Sequence, residues 1–147
     1  MIDIVHNLPD LGEWADRYII NLPQADGSAT VVTLSGDLGA GKTSLVKEVA
    51  AHLDITEDIT SPTFVIMKAY PVVNHNWIKR LVHIDAYRLD GKADLEHLGW
   101  DDIISDPGTL VCLEWPEMVE GITMPRQVTI TITIGEDDTR TLSIQEG

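Results

Sequence analysis

The residues of this sequence that could do chemistry begin with the stretch GDLGAGKT at positions 36–43. It satisfies the phosphate-loop pattern G-x-x-x-x-G-K-[ST], and it lies between a strand-like apolar run and a run with helical spacing. Glycines let such a loop point its N–H groups at an anion, and the following helix adds its positive dipole end. Lys42 would neutralise the phosphates and Thr43 would ligate Mg²⁺. The residues predicted to bind the nucleotide phosphates are Gly36, Asp37, Leu38, Gly39, Ala40, Gly41, Lys42, Thr43 and Ser44.

Two acidic residues each follow an apolar run, Asp85 at the end of LVHID and Glu114 at the end of LVCLE. Ligands of open α/β sheets lie beyond the carboxyl ends of the parallel strands. If both runs are strands that flank the loop strand, both carboxylates point into one crevice. One acid in the magnesium shell and one beside an attacking water would suit phosphate hydrolysis. The LVHID run favours Asp85 for the metal and leaves Glu114 for the water, but which acid does which stays open.

Hydrophobic spacing predicts the elements that must position these residues. Helical periodicity predicts helices over 10–22, 43–53 and 94–104, the last with Leu95, Leu98 and Ile103 facing inward. Short apolar runs predict buried strands over 31–35, 81–84 and 110–113, and residues 64–70 read as another strand. The segment PVVNHNWIK at 71–79 reads as a hairpin tip or an insertion, because Pro71 opens it.

The last part of the sequence alternates strictly between apolar and polar residues. VTITITI at 128–134, the turn GEDD and the run TRTLSI predict an antiparallel hairpin with one face in water. Buried runs in the middle of the chain predict parallel strands. The predicted fold class is therefore α/β, with a mixed sheet that is parallel at its centre and ends in a C-terminal antiparallel hairpin. Residues 1–147 are expected to form one P-loop NTPase-like domain.

Charge and composition exclude some classes of function. Ten Lys and Arg residues stand against 24 Asp and Glu residues, which gives a formal net charge of −14. A surface that follows nucleic acid needs clustered basic residues, which this sequence lacks. The acidic charge either serves solubility or attracts partners with basic surfaces. No apolar run reaches the roughly 18 residues of a membrane span, and no secretory signal is visible. The single cysteine, Cys112, suits a reducing compartment, so a cytoplasmic protein is predicted.

Four segments of the sequence together resemble one family. They are the phosphate loop, SPTF at 61–64, HIDAYRL at 83–89 and LEWPE at 113–117. In this order and at this length, they resemble the bacterial ATPase component of tRNA threonylcarbamoyladenosine synthesis, the TsaE family. The resemblance implies slow ATP hydrolysis that partner proteins accelerate. Those partners would be the two paralogous subunits of the threonylcarbamoyl-transferase core, and the tRNA would be held mainly by them.

The resemblance also implies roles for individual residues. Lys42 and Thr43 would be the phosphate and magnesium residues, and Asp85 would be the acid of the magnesium shell. Glu114 would be the acid needed for hydrolysis, and with Lys42 it forms the expected catalytic pair. The resemblance further implies that Thr63 faces the γ-phosphate and that Trp115 lies close to the nucleotide. The segment 71–79 departs from the family because it looks longer and more apolar than the usual link.

Other interpretations remain open from the sequence alone. A small-molecule kinase also fits the loop, although the five arginines are dispersed and no Arg-rich lid is visible. A non-catalytic adaptor gated by nucleotide occupancy is a further alternative. His83 and Asp85 share a strand face and could form part of a transition-metal site, and Arg88 could stabilise transition-state charge or form a salt bridge. Adenine is the expected base, because the motifs of GTP-selective proteins are absent.

Overall fold

The structure is a computed structural model that describes residues 2–59 and 66–146. The strands are β1 Ile2–Val5, β2 Thr30–Ser35, β3 Met67–Pro71, β4 Arg80–Asp85, β5 Thr109–Glu114, β6 Gln127–Ile134 and β7 Arg140–Glu146. The α-helices are α1 Leu8–Ala15, α2 Lys42–His52, α3 Lys92–His97 and α4 Trp100–Ile104. A π-helical turn, Asp16–Ile20, continues α1. Short 3₁₀ turns follow β4, β5 and β6 at Ala86–Arg88, Pro116–Val119 and Glu136–Asp138.

The strands form a sheet of seven in the order β1-β7-β6-β2-β5-β4-β3. The four central strands are parallel, since β2 pairs in parallel with both β5 and β6, and β4 pairs in parallel with β5. The outer strands β3, β7 and β1 pair antiparallel with their neighbours. The predicted α/β fold class, with its parallel centre and its antiparallel C-terminal hairpin, is confirmed.

Helices cover both faces of the sheet, which explains why β2, β4 and β5 are buried along nearly their whole length. Helices α1 and α2 pack on the face that carries Val32, Leu34 and Ile130. Helices α3 and α4 pack on the opposite face, against Val31, Val82 and Val111. The even-numbered and odd-numbered residues of β2 therefore belong to different cores, as the alternation of a strand requires.

The first helix begins earlier and ends differently from the prediction. The predicted range was 10–22, whereas the helix begins at Leu8. Asn7 caps it, because its side-chain oxygen accepts a hydrogen bond from the N–H of Asp10 at 2.9 Å. Pro9 occupies the first turn, where no N–H donor is needed. The helix then widens into the π-helical turn and ends at Ile20.

The helix predicted over 94–104 is wrong as a single element. It is two short helices, α3 and α4, separated at Gly99. Gly99 has φ of 90°, a left-handed conformation that ends the first helix and changes the direction of the chain. Because of that break Leu98 is exposed, contrary to the prediction, while Trp100 takes a fully buried position.

Two further differences concern strands. The edge strand β1 was not predicted, since it is only four residues long and pairs with β7 from the far end of the chain. The strand predicted over 64–70 is found in the described residues as β3, Met67–Pro71, and its predicted start at Phe64 and Val65 lies outside them. The segment 71–79 closes a hairpin between β3 and β4, in which the Val72 N–H donates to the Lys79 carbonyl at 2.9 Å.

In the part of the chain that the structure describes, no helix has both the length and the apolar character needed to cross a membrane.

Candidate functional site

The glycine-rich loop joins β2 to α2 at the carboxyl edge of the parallel strands. Gly41 immediately precedes α2 and has φ of 111°, a left-handed conformation that side-chain-bearing residues rarely adopt. The first N–H groups of α2 have no partner within the helix and point back toward the loop. The loop and the amino terminus of α2 therefore form the kind of surface that attracts an anion.

Gly36 is fixed by its neighbour in the sheet. A Cβ atom at this position would lie 2.5 Å from the carbonyl oxygen of Ile132, which belongs to the backbone of β6. The backbone φ of Gly36 is 155°. The start of the loop thus packs directly on β6, and a larger residue would displace one of the two.

Gly36→Ala is therefore expected to lower the free energy of unfolding by about 1–3 kcal/mol, because β6 backbone cannot move as a side chain can. The matched control is Gly91→Ala, where an added Cβ meets nothing within 4 Å. That control should change stability by less than about 0.5 kcal/mol. Urea unfolding of both variants tests the expectation, and equal stability of the two would contradict it.

Lys42 lies inside the loop rather than in solvent. Its Nζ donates hydrogen bonds to the carbonyl oxygens of Gly36 at 2.5 Å and Asp37 at 3.0 Å. It also lies 4.2 Å from the centre of the Trp115 ring, within the range of a cation–π contact. Burial lowers the pKa of Lys42, and the charges of four nearby carboxylates oppose that shift. These carboxylates belong to Glu114, Asp85, Glu117 and Asp37.

Thr43 and Glu114 are in contact across the loop. The Thr43 hydroxyl lies 3.1 Å from both carboxylate oxygens of Glu114. Glu114 is the last residue of β5 and is only 2% exposed, so its carboxylate is a buried acid at the edge of the sheet. Such a group needs hydrogen-bond donors, and Thr43 supplies one of them.

Asp85 lies one strand further from the loop than Glu114. The expectation that both acidic strands flank the loop strand is wrong for β4, because β5 lies between β4 and β2. Asp85 and Glu114 are register partners on adjacent parallel strands, so their side chains still share one face. The half-buried Asp85 accepts a hydrogen bond from the Tyr87 N–H at 3.1 Å. Burial raises the pKa of Asp85, and the charge of Glu114 acts in the same direction.

Trp115 closes the site on the side of β5. Its φ of 60° is left-handed and turns the chain sharply at the end of the strand, while its N–H donates to the Leu34 carbonyl at 3.1 Å. The ring of Tyr87 lies 5.0 Å from the Trp115 ring. The half-buried indole is thus held between Tyr87 and the ammonium of Lys42.

A cavity of about 220 Å³ lies on the other side of the loop. Its lining combines the segment between β1 and α1 with the loop and the hairpin of β6 and β7. Arg140 of that hairpin donates from Nε to the carbonyl of Ala40 at 2.9 Å, which ties β7 to the loop. The lining includes Asn7, Leu11, Gly39, Gly41, Ser44 and Arg140.

The structure brings together most of the residues predicted for the site. The loop residues 36–44, Asp85, Glu114 and Trp115 all lie at one edge of the sheet. Thr63 lies outside the described residues. Sequence reasoning missed the contacts of His83 with Glu114 and of Arg140 with Ala40. Only the sheet order could have revealed them, since each joins residues far apart in the chain.

The oxygen donors near Thr43 suit a hard divalent cation. They are the hydroxyl of Thr43 and the carboxylate of Glu114 in contact with it, and the carboxylate of Asp85 lies on the adjacent strand. In residues 2–59 and 66–146, no three side chains of the types His, Cys, Asp and Glu gather as a metal cluster. Mg²⁺ in nucleotide sites takes one or two protein carboxylates and completes its shell with phosphate oxygens and water. The donors here fit a magnesium ion of that kind.

The mixed sheet, with a glycine-rich loop between a central strand and a helix, defines the class of α/β proteins with a P-loop NTPase-like fold. Comparison with known sequences narrows the class. The sequence profile of the family "Threonylcarbamoyl adenosine biosynthesis protein TsaE" matches residues 10–142. The chain belongs to the TsaE family.

Individual relatives agree with the family match. The chain is 31% identical to tRNA threonylcarbamoyladenosine biosynthesis protein TsaE of Rickettsia typhi, over 79% of this chain and 77% of the relative. It is 39% identical to the protein of the same name in Bacillus subtilis, over 77% of this chain and 67% of the relative. A crystal structure of Bacillus subtilis YdiB superposes with a TM-score of 0.73 and 26% identity, covering 98% of this chain and 83% of that one.

Proposed function

We propose that this protein is the ATPase component of the bacterial machinery that makes threonylcarbamoyladenosine in tRNA. It binds Mg–ATP, hydrolyses it slowly alone, and hydrolyses it faster with its partner subunits. The observation that carries the proposal is the contact of Thr43 with the buried carboxylate of Glu114, beside the ammonium of Lys42. The loop that would bind phosphate thus lies beside two groups that would hold magnesium, the Thr43 hydroxyl and the buried carboxylate of Glu114.

The position of each site residue determines its proposed role. Lys42 leaves the carbonyls of Gly36 and Asp37 and binds the phosphates, which are better partners for an ammonium. The magnesium ion, when bound, neutralises charge that develops on the phosphate oxygens. Thr43 and Glu114 would hold that ion, since they touch each other. Asp85, one strand away, is left to orient water near the phosphates, which reverses the division that the LVHID run favoured.

The nucleoside part would occupy the cavity on the far side of the loop. Ser44 and Gly41 belong both to the loop region and to the cavity lining, so a nucleotide could extend from one to the other without a gap. The apolar side chains of Leu11 and Ile132 there suit the faces of an adenine ring. ATP is therefore the proposed nucleotide.

The proposed partners are the two paralogous subunits of the threonylcarbamoyl-transferase core, as the names of the relatives suggest a role in that modification. With a net charge of −14 the chain is suited to partners with basic surfaces. The tRNA would be held mainly by those partners, in the cytoplasm.

Two measurements test the proposal. Titration calorimetry should detect binding of Mg–ATP, and phosphate release should rise when the purified partner subunits are added. Absence of binding over a range of temperatures would contradict the proposal. Phosphate transfer to a small acceptor instead of water would indicate a kinase. Repeated rounds of tRNA modification with a non-hydrolysable ATP analogue would indicate a nucleotide-gated adaptor.

A further inference from the structure

A buried histidine lies behind the carboxylate of Glu114. The Nε2 atom of His83 is 2.5 Å from Oε2 of Glu114. Both side chains are nearly inaccessible, with exposures of 2% and 3%. When the Glu114 carboxylate accepts this hydrogen bond, the hydrogen is carried by Nε2 of His83. The proposed function does not place His83 against the nucleotide. The buried contact between His83 and Glu114 therefore needs its own explanation.

The register of β4 against β5 places His83 and Glu114 close to each other. In the parallel pair of β4 and β5, His83 is opposite Cys112, and Asp85 is opposite Glu114. His83 and Glu114 are thus diagonal neighbours on the same face, within reach of long side chains. That face also carries α2, whose first turn contains Thr43. Glu114 consequently lies between a histidine on one side and a threonine hydroxyl on the other.

The carboxylate has a contact on each of two elements. His83 contacts Oε2, whereas the Thr43 hydroxyl is equidistant from Oε1 and Oε2. The contact with the histidine therefore restrains the rotation of the carboxylate and helps to keep both of its oxygens within reach of Thr43. A buried carboxylate with a single donor would be free to rotate about its last bond, and its oxygens would lose that position.

We infer that His83 is a positioning residue for Glu114. It holds the carboxylate so that its oxygens stay beside the Thr43 hydroxyl, where the magnesium ion is proposed to bind. This inference rests on the proposed function and adds the residue that orients its metal-side acid. Partners behind metal ligands act in this way in other proteins, where losing one weakens metal affinity about 10–100-fold.

The experiment compares ATP affinity with and without magnesium. His83→Gln keeps an N–H donor near the position of Nε2, whereas the shorter His83→Asn does not reach it, and His83→Leu has no donor. Calorimetric titrations with ATP are made in excess EDTA and in excess Mg²⁺, and the ratio of the two affinities is compared among variants. We expect the ratio to fall about tenfold or more in the Leu and Asn variants. The Gln variant should recover most of it, and affinity in EDTA should stay within about twofold of wild type.

A purely structural role of His83 predicts a different pattern. The matched control is Val82→Ala, a change at the neighbouring buried position of β4 that points into the opposite core. It destabilises the same strand without touching Glu114, and it should leave the magnesium ratio unchanged. An unchanged ratio in both the Leu and the Asn variants, or an equal fall in Val82→Ala, would overturn the inference. Absence of ATP binding in the wild-type protein would instead overturn the proposed function on which it rests.

Discussion

Glu114→Gln is expected to reduce partner-stimulated ATP hydrolysis by about 100-fold or more, while ATP still binds with a smaller gain in affinity from magnesium. The glutamine has the same size and can accept the hydrogen bonds of Thr43 and His83, so the fold and the loop should survive. What it lacks is the negative charge beside Thr43 on which the proposed magnesium binding and ATP hydrolysis depend. Phosphate release measured with saturating Mg–ATP and partner subunits gives the effect on turnover, and calorimetry gives the effect on binding.

The matched control for Glu114→Gln is Glu117→Gln. Glu117 lies in the same region and contributes to the field at Lys42, but it is exposed and accepts a hydrogen bond from the Ser35 hydroxyl at 2.8 Å. It does not contact Thr43. The control should retain turnover within a few-fold, since a screened surface charge contributes little. Wild-type turnover in Glu114→Gln would remove this acid from the proposed mechanism.

Lys42→Met is expected to weaken ATP binding about 10–100-fold, with hydrolysis lost at ordinary ATP concentrations. Methionine preserves most of the stem that packs beside Trp115, but it carries no charge for the phosphates. The loss should be large because four carboxylates surround the site and the incoming triphosphate adds more negative charge. Titration of each variant with Mg–ATP by calorimetry measures the change.

Lys47→Met provides the comparison for Lys42→Met. Lys47 lies on the same helix, but it is exposed and has no part in the loop. The same change in net charge should there alter ATP affinity by about twofold or less. If both variants bind ATP like the wild-type protein, Lys42 is not a phosphate ligand. If both weaken it equally, the effect arises from net charge and not from the loop.

Much of the fold could be predicted because the informative patterns are local. The strand β2, the loop and α2 follow one another directly, so periodicity and glycine spacing were enough. The C-terminal hairpin carries its own alternation and turn. The break at Gly99 was missed because a glycine within a helical pattern is often tolerated, and here its left-handed conformation decided the outcome.

Most residues of the candidate site could be predicted from the sequence, but their spatial arrangement could not. Apolar runs that end on acids identified Asp85 and Glu114, but the order of strands decides which acid meets the loop. That order places β5 beside β2 and brings Glu114 to Thr43. The contact of His83 with Glu114 depends on the register of β4 against β5, which a single sequence does not contain.

The position of β2 in the sheet has a consequence for biosynthesis. Its two neighbours, β5 and β6, are translated long after the loop that β2 carries. During translation, β2 therefore has no strand partner on either edge until β5, Thr109–Glu114, and β6, Gln127–Ile134, have emerged from the ribosome. We therefore expect the core and the packing of the loop on β6 to be completed together, when these late strands pair with β2.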